Sequence, residues 1–362
     1  HLNIVIWMSL NKNSKIFIAG HNGMVGSSIF RLLKKKNKKK IYTKNKSSLN
    51  LLNQKKTFRY LKSIKPDLVI IAAAKVGGIK ANDSLKAEFI YQNIMIQTNL
   101  IHASFLAGVK KLIFLGSSCV YPKYAKQPIK EKYLLTGALE DTNDAYAIAK
   151  IAGIKMCQSY NKQYNLDYIC LMPTNLYGPK DNYDLQNSHF YPALISKIHN
   201  AKIKKKNFIS LWGNGKALRE LLYVDDLADA CEFFFKKKTK HSLINIGSGK
   251  EKTVLNYAKF IMRKLNVNMK IKFDKTKPNG TPRKKLNINL AKNYGWKAKI
   301  NLEKGFDLTY EDFLSQWKIS YKNIVKLTNF LLKVCLLIIR IGYKSLAGDY
   351  CESVTPDPIS NS

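Results

Sequence analysis

Short, largely apolar runs recur along the first half of the chain, and longer segments with a helical spacing of apolar residues separate them. The runs cover residues 15–19, 68–72, 111–115 and 168–172. Continuous apolar runs of this length are typical of strands that are buried on both faces of a sheet. Strands that alternate with helices predict an α/β fold built on a Rossmann-type, doubly wound parallel sheet.

The pattern changes after Gly178, where polar loops become frequent. Residues 208–212 still read as a strand, residues 277–283 carry proline and glycine, and residues 243–246 favour a last strand of the parallel sheet. We therefore predict a Rossmann domain over residues 15–180 and a smaller, interleaved substrate-binding lobe over residues 181–318. A segment near 219–248 is expected to return to the first domain.

The two ends fall outside this pattern. His1 to Trp7 precede Met8 and lack the features of a signal peptide, so residues 1–14 are interpreted as an extension upstream of the start. Residues 319–362 are interpreted as an atypical C-terminal extension. Its apolar part, residues 327–343, is interrupted by Lys333 and Arg340, which argues against a membrane span. We interpret it as a helix without an assigned purpose, and an interfacial anchor is the alternative.

The composition is that of a globular protein with an unusual charge. The 362 residues are 46% hydrophobic, and 62 basic against 24 acidic residues give a formal net charge of +38. Such an excess suggests nucleic acid or anionic lipid as a partner. However, only six of the basic residues are arginine, the residue that nucleic-acid-binding proteins favour for phosphates and bases. We therefore favour a solvated, lysine-rich surface and predict no specific nucleic-acid partner.

Cysteine usage bears on the compartment and on metal binding. The six cysteines include no CxxC pair, which disfavours a zinc site and a disulfide scaffold. We predict no metal site and a reducing, cytoplasmic setting.

Glycines punctuate the segment between the first strand and a helix predicted over residues 27–33. Gly20, Gly23 and Gly26 form a GxxGxxG turn, whose missing side chains let backbone amides and a helix N-terminus approach a pyrophosphate. An ordinary tight loop is the alternative. Sites for NAD usually place an acidic residue about 20 residues further on. Residues 42–48 offer Lys44 and Lys46 instead, which favour the 2′-phosphate of NADPH.

Tyr146 and Lys150 stand four residues apart in a helix-favouring run, so both lie on one helix face. A nearby ammonium is expected to lower the pKa of the phenol and so to assist proton transfer to a developing alkoxide. A surface lysine beside a packed tyrosine is the alternative. Ser117 favours the catalytic interpretation, because it follows the strand at 111–115, and ligands bind at the carboxyl ends of such strands.

The glycine turn, the serine at a strand end and the Tyr–Lys helix together resemble the extended short-chain dehydrogenase/reductase family. Longer segments are similar to the GDP-L-fucose synthases within that family. These segments are residues 20–26, 72–79, 116–122, 146–155, 173–179, 187–189, 212–213, 219–220, 224–226 and 280–284. The resemblance leaves out only the two ends of the chain.

The resemblance implies two reactions on GDP-4-keto-6-deoxy-D-mannose: epimerisation at C3 and C5, and then reduction at C4 by NADPH. Ser117 and Tyr146 would hold and protonate the C4 oxygen, and Lys150 would bind the cofactor ribose. Cys119 and His189 match the family's proton-transfer pair. Without the resemblance, a buried thiol and a hydrogen-bonded histidine would be the simpler interpretations of these two residues.

The resemblance also implies the binding residues. Substrate contacts are expected at Lys197, Trp212, Arg219 and Asn279. Cofactor contacts are expected at Gly20, His21, Asn22, Gly23, Met24, Val25, Gly26, Lys44, Lys46, Leu115, Gly116, Ser117, Ser118, Lys150, Pro173, Thr174, Asn175, Leu176 and His189. Asn22 and Lys197 stand where the family commonly has arginine, and Asn279 stands where it has aspartate. Weaker phosphate binding and the loss of one substrate hydrogen bond are expected from these departures.

Two other functions fit part of the sequence. Another nucleotide-sugar epimerase, dehydratase or reductase would share the fold and the Ser–Tyr–Lys set, but an enzyme that acts only at C4 needs no pair such as Cys119 and His189. A non-catalytic, basic protein that binds RNA or membranes would leave the catalytic residues unexplained. The resemblance favours the enzyme, as a cytoplasmic homodimer.

Overall fold

The structure, a computed structural model, describes residues 13–38, 40–185, 187–276 and 281–319. The described residues up to Tyr310 belong to one compact unit, and Glu311 begins a second one. The described residues of the second unit, 311–319, are helical. Residues 1–12 and 320–362, which hold most of the two predicted extensions and the apolar segment at 327–343, lie outside the described residues.

The first unit alternates strands and helices. Its strands are β1 (Ile16–Ala19), β2 (Ile41–Tyr42), β3 (Leu68–Ile71), β4 (Lys111–Leu115), β5 (Asp167–Pro173), β6 (Asn175–Tyr177), β7 (Phe208–Trp212), β8 (Leu218–Tyr223), β9 (Leu243–Ile246), β10 (Glu251–Thr253), β11 (Lys270–Asp274) and β12 (Arg283–Lys284). Its helices are α1 (Met24–Lys35), α2 (Gln54–Ile64), α3 (Ile79–Ser84), α4 (Lys86–Leu106), α5 (Asp144–Tyr164), α6 (Phe190–Ile203), α7 (Val224–Phe235), α8 (Val254–Lys264) and α9 (Asn289–Asn293). Residues 302–310 are also helical.

Six of the described strands form one sheet in the order β2-β1-β3-β4-β5-β9, and every neighbouring pair is parallel. Helices α2, α4 and α5 pack on one face, and α1 and α7 pack on the other. The doubly wound parallel sheet that the sequence predicts is therefore confirmed. β9 pairs with β5, so residues 243–246 supply the last strand of this sheet as expected.

Burial on both faces explains why the central strands read as continuous apolar runs. All residues of β1, β3 and β4 are buried. The side of β4 that faces α5 is packed unusually closely at Gly153, where an added Cβ would lie 2.5 Å from the Phe114 ring. Because Ser117 follows β4 and Tyr146 lies in the first turn of α5, this close packing holds the two side chains in one region.

A smaller sheet lies outside the parallel one. β8 is its centre: β10 pairs with it antiparallel, and β12 and β6 pair with it in parallel. The strand predicted at 208–212 is present as β7, and it pairs in parallel with β11. The predicted domain bounds stay a prediction.

None of the helices in the described part of the chain has both the length and the apolar character needed to cross a bilayer.

Candidate active site

The glycine turn between β1 and α1 has the shape of a pyrophosphate cradle. Gly20 has φ +88°, and a Cβ added at Gly26 would lie 2.1 Å from the Gly20 carbonyl oxygen, so both positions require glycine. Gly23 precedes α1 and provides no side-chain cap. A Cβ added there would have only the Gly20 carbonyl oxygen within 4 Å, at 3.7 Å. The first turn of α1 thus offers backbone N–H groups to a ligand, and the turn fits a dinucleotide diphosphate. His21, Met24 and Val25 complete this turn.

The loop after β2 lies beside the glycine turn. The Asn22 side-chain amide donates a hydrogen bond of 2.9 Å to the Asn45 side-chain oxygen, between the exposed Lys44 and Lys46. The Lys44 ammonium also lies 5.6 Å from the centre of the Tyr60 ring. Two flexible ammonium groups at this edge suit a 2′-phosphate, so the described residues fit NADPH.

The segment after β4 carries the next group of predicted residues. Leu115 ends β4, Gly116 follows it, and a single turn of 3-10 helix covers Ser118–Val120. Ser117 caps this turn: its hydroxyl accepts a hydrogen bond of 3.2 Å from the Cys119 backbone N–H. The cap fixes Ser117 and Cys119 side by side at the carboxyl end of a central strand, where open α/β sheets bind their ligands.

Lys150 is 3% exposed, and its ammonium donates a hydrogen bond of 2.9 Å to the Leu115 carbonyl oxygen. The same ammonium lies 4.8 Å from the centre of the Phe114 ring and 5.8 Å from that of Tyr146. Burial lowers the pKa of Lys150 to about 8, and Cys170 opposes this shift. Lys150 is thus tied to the last residue of β4, two positions before Ser117.

The expectation that Lys150 lowers the pKa of Tyr146 is wrong for this arrangement. Burial raises the pKa of the Tyr146 phenol, and Cys119 raises it further. The reason is that Lys150 directs its hydrogen bond to a backbone carbonyl and not to the phenol oxygen. Tyr146 is therefore fully protonated near neutral pH, which is the form that can donate a proton.

Polar and cationic groups surround the Cys119 sulfur. The Asn143 side-chain amide donates to it at 3.5 Å, and the Lys284 ammonium lies 3.8 Å away. Arg219 is near enough for Cys119 and Glu140 to raise its pKa against the larger, lowering effect of burial. The site thus holds cationic side chains near a thiol.

His189 lies at the N-terminus of α6 and faces the same region. The residue is exposed at the surface, but surrounding protein removes part of the ring's hydration. This desolvation lowers the pKa of His189, and the charge of Lys284 lowers it further. The segment before it is held by the Gly78 N–H, which donates to the Asn187 carbonyl oxygen at 2.8 Å. Lys284 therefore lies close to both Cys119 and His189.

The predicted cofactor residues after β5 are tied to the smaller sheet. Pro173 ends β5, and Asn175 and Leu176 begin β6. The Thr174 hydroxyl and the Asn175 side-chain amide donate to the backbone carbonyl of Glu220 at 3.2 and 2.9 Å. Ser118 and Thr174, which follow β4 and β5, are both buried.

The predicted substrate residues fall into two groups. Arg219 lies on β8, with the Cys119 group. Lys197 and Trp212 are linked to the β7–β11 sheet: Lys197 donates to the Ser210 carbonyl oxygen at 2.7 Å, and burial lowers its pKa. Trp212 is 42% exposed at the end of β7. Asn279 lies outside the described residues.

An open cavity of about 520 Å³ adjoins Trp212. Its lining residues are Gly213, Asn214, Lys216, Phe273 and Lys275. The Phe273 ring and the ammonium groups of Lys216 and Lys275 suit a flat, anionic ligand such as a nucleotide.

The sequence did not predict a role for two residues that lie beside Cys119, Lys284 and Asn143. Lys284 belongs to the segment at 280–284 that carries the resemblance, and its position in that segment was the available signal. Asn143 directly precedes α5 and offered no signal of its own, since its contact with Cys119 depends on the packing of α5 against β4.

Comparisons with known proteins agree with this geometry. The model of the NAD dependent epimerase/dehydratase family matches residues 16–247. A GDP-L-fucose synthase of Sinorhizobium fredii is 50% identical over 308 residues, which are 85% of this chain and 98% of the relative. A GDP-L-fucose synthase of Escherichia coli is 46% identical, over 83% of this chain and 96% of the relative. The structure of a GDP-L-fucose synthetase from Naegleria fowleri bound to NADP superposes with a TM-score of 0.77 at 25% identity, covering 86% of this chain and 97% of that one. The chain therefore belongs to the NAD dependent epimerase/dehydratase family and, within it, to the GDP-L-fucose synthase group.

Proposed function

We propose that this chain converts GDP-4-keto-6-deoxy-D-mannose to GDP-L-fucose by epimerisation at C3 and C5 and reduction at C4, with NADPH as the reductant. One observation carries the assignment of both steps to one site. The Lys284 ammonium lies 3.8 Å from the Cys119 sulfur and is near enough to His189 to lower its pKa. The Cys119 backbone N–H donates to Ser117, and Cys119 is near enough to Tyr146 to raise its pKa. This arrangement supports one site that contains the thiol, the imidazole and the Ser–Tyr–Lys set.

The epimerisation needs a base and an acid, because a carbon next to a ketone inverts by losing a proton and regaining one on the other side. In the proposed mechanism Cys119 removes the proton and His189 returns one. The lowered pKa of His189 makes its protonated form a stronger acid, while a smaller share of the imidazole carries the proton at neutral pH. The positive charges of Lys284 and Arg219 favour negative charge in this part of the site, both on the thiolate and on the enolate oxygen.

The reduction needs a proton donor at the C4 oxygen, since NADPH supplies hydride to the carbon. Tyr146 is the proposed donor: its phenol is protonated at neutral pH, although burial raises its pKa and makes it a weaker acid than an exposed tyrosine. Ser117 would hold the same oxygen. Lys150 would hold the cofactor ribose from its position next to the end of β4. The same two hydroxyls would stabilise the enolate, so both steps would use one oxyanion site.

We also propose that the enzyme is a homodimer in the cytoplasm. Helices α4 and α5 pack together and carry large exposed apolar side chains, which a second copy of the chain would cover: Tyr91, Leu106, Ile148 and Tyr164. The thiols of Cys119, Cys157, Cys170 and Cys231 are free, which is typical of proteins in a reducing compartment.

The roles of Cys119 and His189 are tested by solvent exchange. At saturating NADPH, we expect Cys119→Ala and His189→Asn to lose deuterium uptake at C3 and C5 of the substrate by a factor on the order of 10² or more. The 4-keto sugar that is already epimerised should still be reduced by both variants. Cys231→Ala, which removes a buried thiol of α7, controls for the loss of a thiol as such. Wild-type exchange in the Cys119 and His189 variants would refute the assignment.

A further inference from the structure

The carboxylate of Glu220 is buried in an unusual place. Glu220 lies in β8, is 0% exposed, and is the neighbour of Arg219. Its two carboxylate oxygens accept hydrogen bonds from two backbone N–H groups, that of Gly249 at 2.6 Å and that of Leu286 at 2.9 Å. A buried carboxylate with one N–H donor on each oxygen ties three chain segments to one point.

These segments come from both sheets. The turn at 247–249 follows β9, the edge strand of the parallel sheet, and a Cβ at Gly247 would lie 2.3 Å from a Glu220 carboxylate oxygen. Leu286 follows β12 of the smaller sheet. The Glu220 backbone carbonyl also accepts the bonds from Thr174 and Asn175. Glu220 therefore links the two sheets through hydrogen bonds of its carboxylate and its backbone carbonyl.

The hydrogen bonds of Glu220 also bear on the position of Lys284. β12 has two residues and pairs with β8 in a register that sets Lys284 opposite Arg219. So short a strand does not fix its own position. Leu286, two residues beyond Lys284, is held by the Glu220 carboxylate. Two further contacts hold the same segment: Arg283 pairs with Glu251, and the Lys285 N–H donates to the Gln127 side-chain oxygen at 2.9 Å.

We propose that Glu220 is a positioning residue of the epimerisation step: its carboxylate holds β12 so that the Lys284 ammonium stays beside the Cys119 sulfur. This inference rests on the proposed role of Cys119 only for its consequence in catalysis. The placement itself can be tested on the thiol, without substrate.

Asp226 provides a matched control. It lies in α7, is 2% exposed, and its two carboxylate oxygens also accept one backbone N–H each, from Lys299 at 2.9 Å and from Ile300 at 3.0 Å. The segment that it holds is not that of Lys284. Asp226→Asn and Glu220→Gln therefore make the same chemical change, in which one of two buried acceptors becomes an amide donor facing an N–H group.

The experiment measures the rate at which iodoacetamide alkylates Cys119 in the full chain at pH 7.5, read peptide by peptide by mass spectrometry. Since thiolate is the reacting form and a neighbouring ammonium favours it, we expect Glu220→Gln to slow alkylation by roughly three- to tenfold. Asp226→Asn should alkylate at the wild-type rate. Lys284→Gln, a change on a partly exposed side chain, should slow alkylation as much as Glu220→Gln does.

The double variant Glu220→Gln/Lys284→Gln decides whether Glu220 acts through Lys284. If it does, the double variant reacts no more slowly than Lys284→Gln alone. Additive losses, or a wild-type rate in Glu220→Gln, would overturn the proposal. Equal slowing in Asp226→Asn would also overturn it, because general loosening of the fold would then explain the effect. Slowed alkylation with undiminished deuterium uptake at C3 and C5 would support the positioning but refute the role of Cys119 as the base.

Discussion

At the scale of single residues, Lys150 shows the cost of placing a charge in the core. Its folded pKa of about 8 lies below the ordinary 10.5, so the unfolded chain holds a proton more tightly than the folded chain. Below pH 8 both states are protonated, and the folded state bears the full cost of the buried charge, on the order of 3 kcal/mol. As the pH rises from 8 towards 10.5, the folded state loses its proton first and this cost disappears.

Replacement of Lys150 by methionine should therefore stabilise the protein while it abolishes turnover. We expect Lys150→Met to raise the free energy of unfolding at pH 7 by about 1–3 kcal/mol, the lower value allowing for the lost bond to the Leu115 carbonyl oxygen. Urea unfolding at pH 7 and at pH 10 measures the effect, and the gain should shrink at the higher pH. A variant that is less stable than the wild type at pH 7 would contradict the buried-charge explanation.

Local spacing decided which site residues the sequence could reveal. Tyr146 and Lys150 are four residues apart, so their shared helix face follows from helix geometry alone. Lys284 is separated from Cys119 by 165 residues, and their contact depends on the pairing of β12 with β8. The pKa of Tyr146 was predicted in the wrong direction, because burial depends on the packing around the ring and not on the spacing along the helix.

At the scale of elements, the strands of the parallel sheet were predictable, and those of the smaller sheet largely were not. β3 and β4 are buried on both faces and so appear as unbroken apolar runs. β6, β10 and β12 have three, three and two residues, too few for any periodicity to show. The glycine turn was visible because the close approach of Gly26 to Gly20 demands glycine whatever the rest of the fold is.

The outer faces of α4 and α5 lead to a prediction about assembly. Tyr91 on α4 is 59% exposed and Ile148 on α5 is 46% exposed, and a second copy that covers such side chains would stabilise a dimer. We expect the wild type to sediment with twice the 41.3 kDa mass of the chain, and Tyr91→Glu or Ile148→Glu to weaken the dimer. Tyr124→Glu changes an 80% exposed tyrosine outside these helices and should sediment as the wild type does. A monomeric wild type would refute the dimer.

At the scale of the whole molecule, charge and fold carry different information. The net charge of the chain is +38. Some of its described carboxylates each pair with two cations, as Glu232 does with Lys36 and Lys236. This charge did not help to identify the reaction. The proposed function rests instead on the sheet, because β4 and β5 are parallel neighbours and bring Ser117 and Thr174, both predicted site residues, to the same edge.

The most direct test of the two-step reaction uses the purified full chain with GDP-4-keto-6-deoxy-D-mannose and NADPH in D₂O. NADPH absorbance gives the reduction, and NMR of the nucleotide sugar gives the product and its deuterium content. We expect GDP-L-fucose that carries deuterium at C3 and C5, with one NADPH consumed for each product molecule. Consumption of NADPH with a product that carries no deuterium at C3 and C5 would contradict the proposed epimerisation and leave an enzyme that only reduces C4.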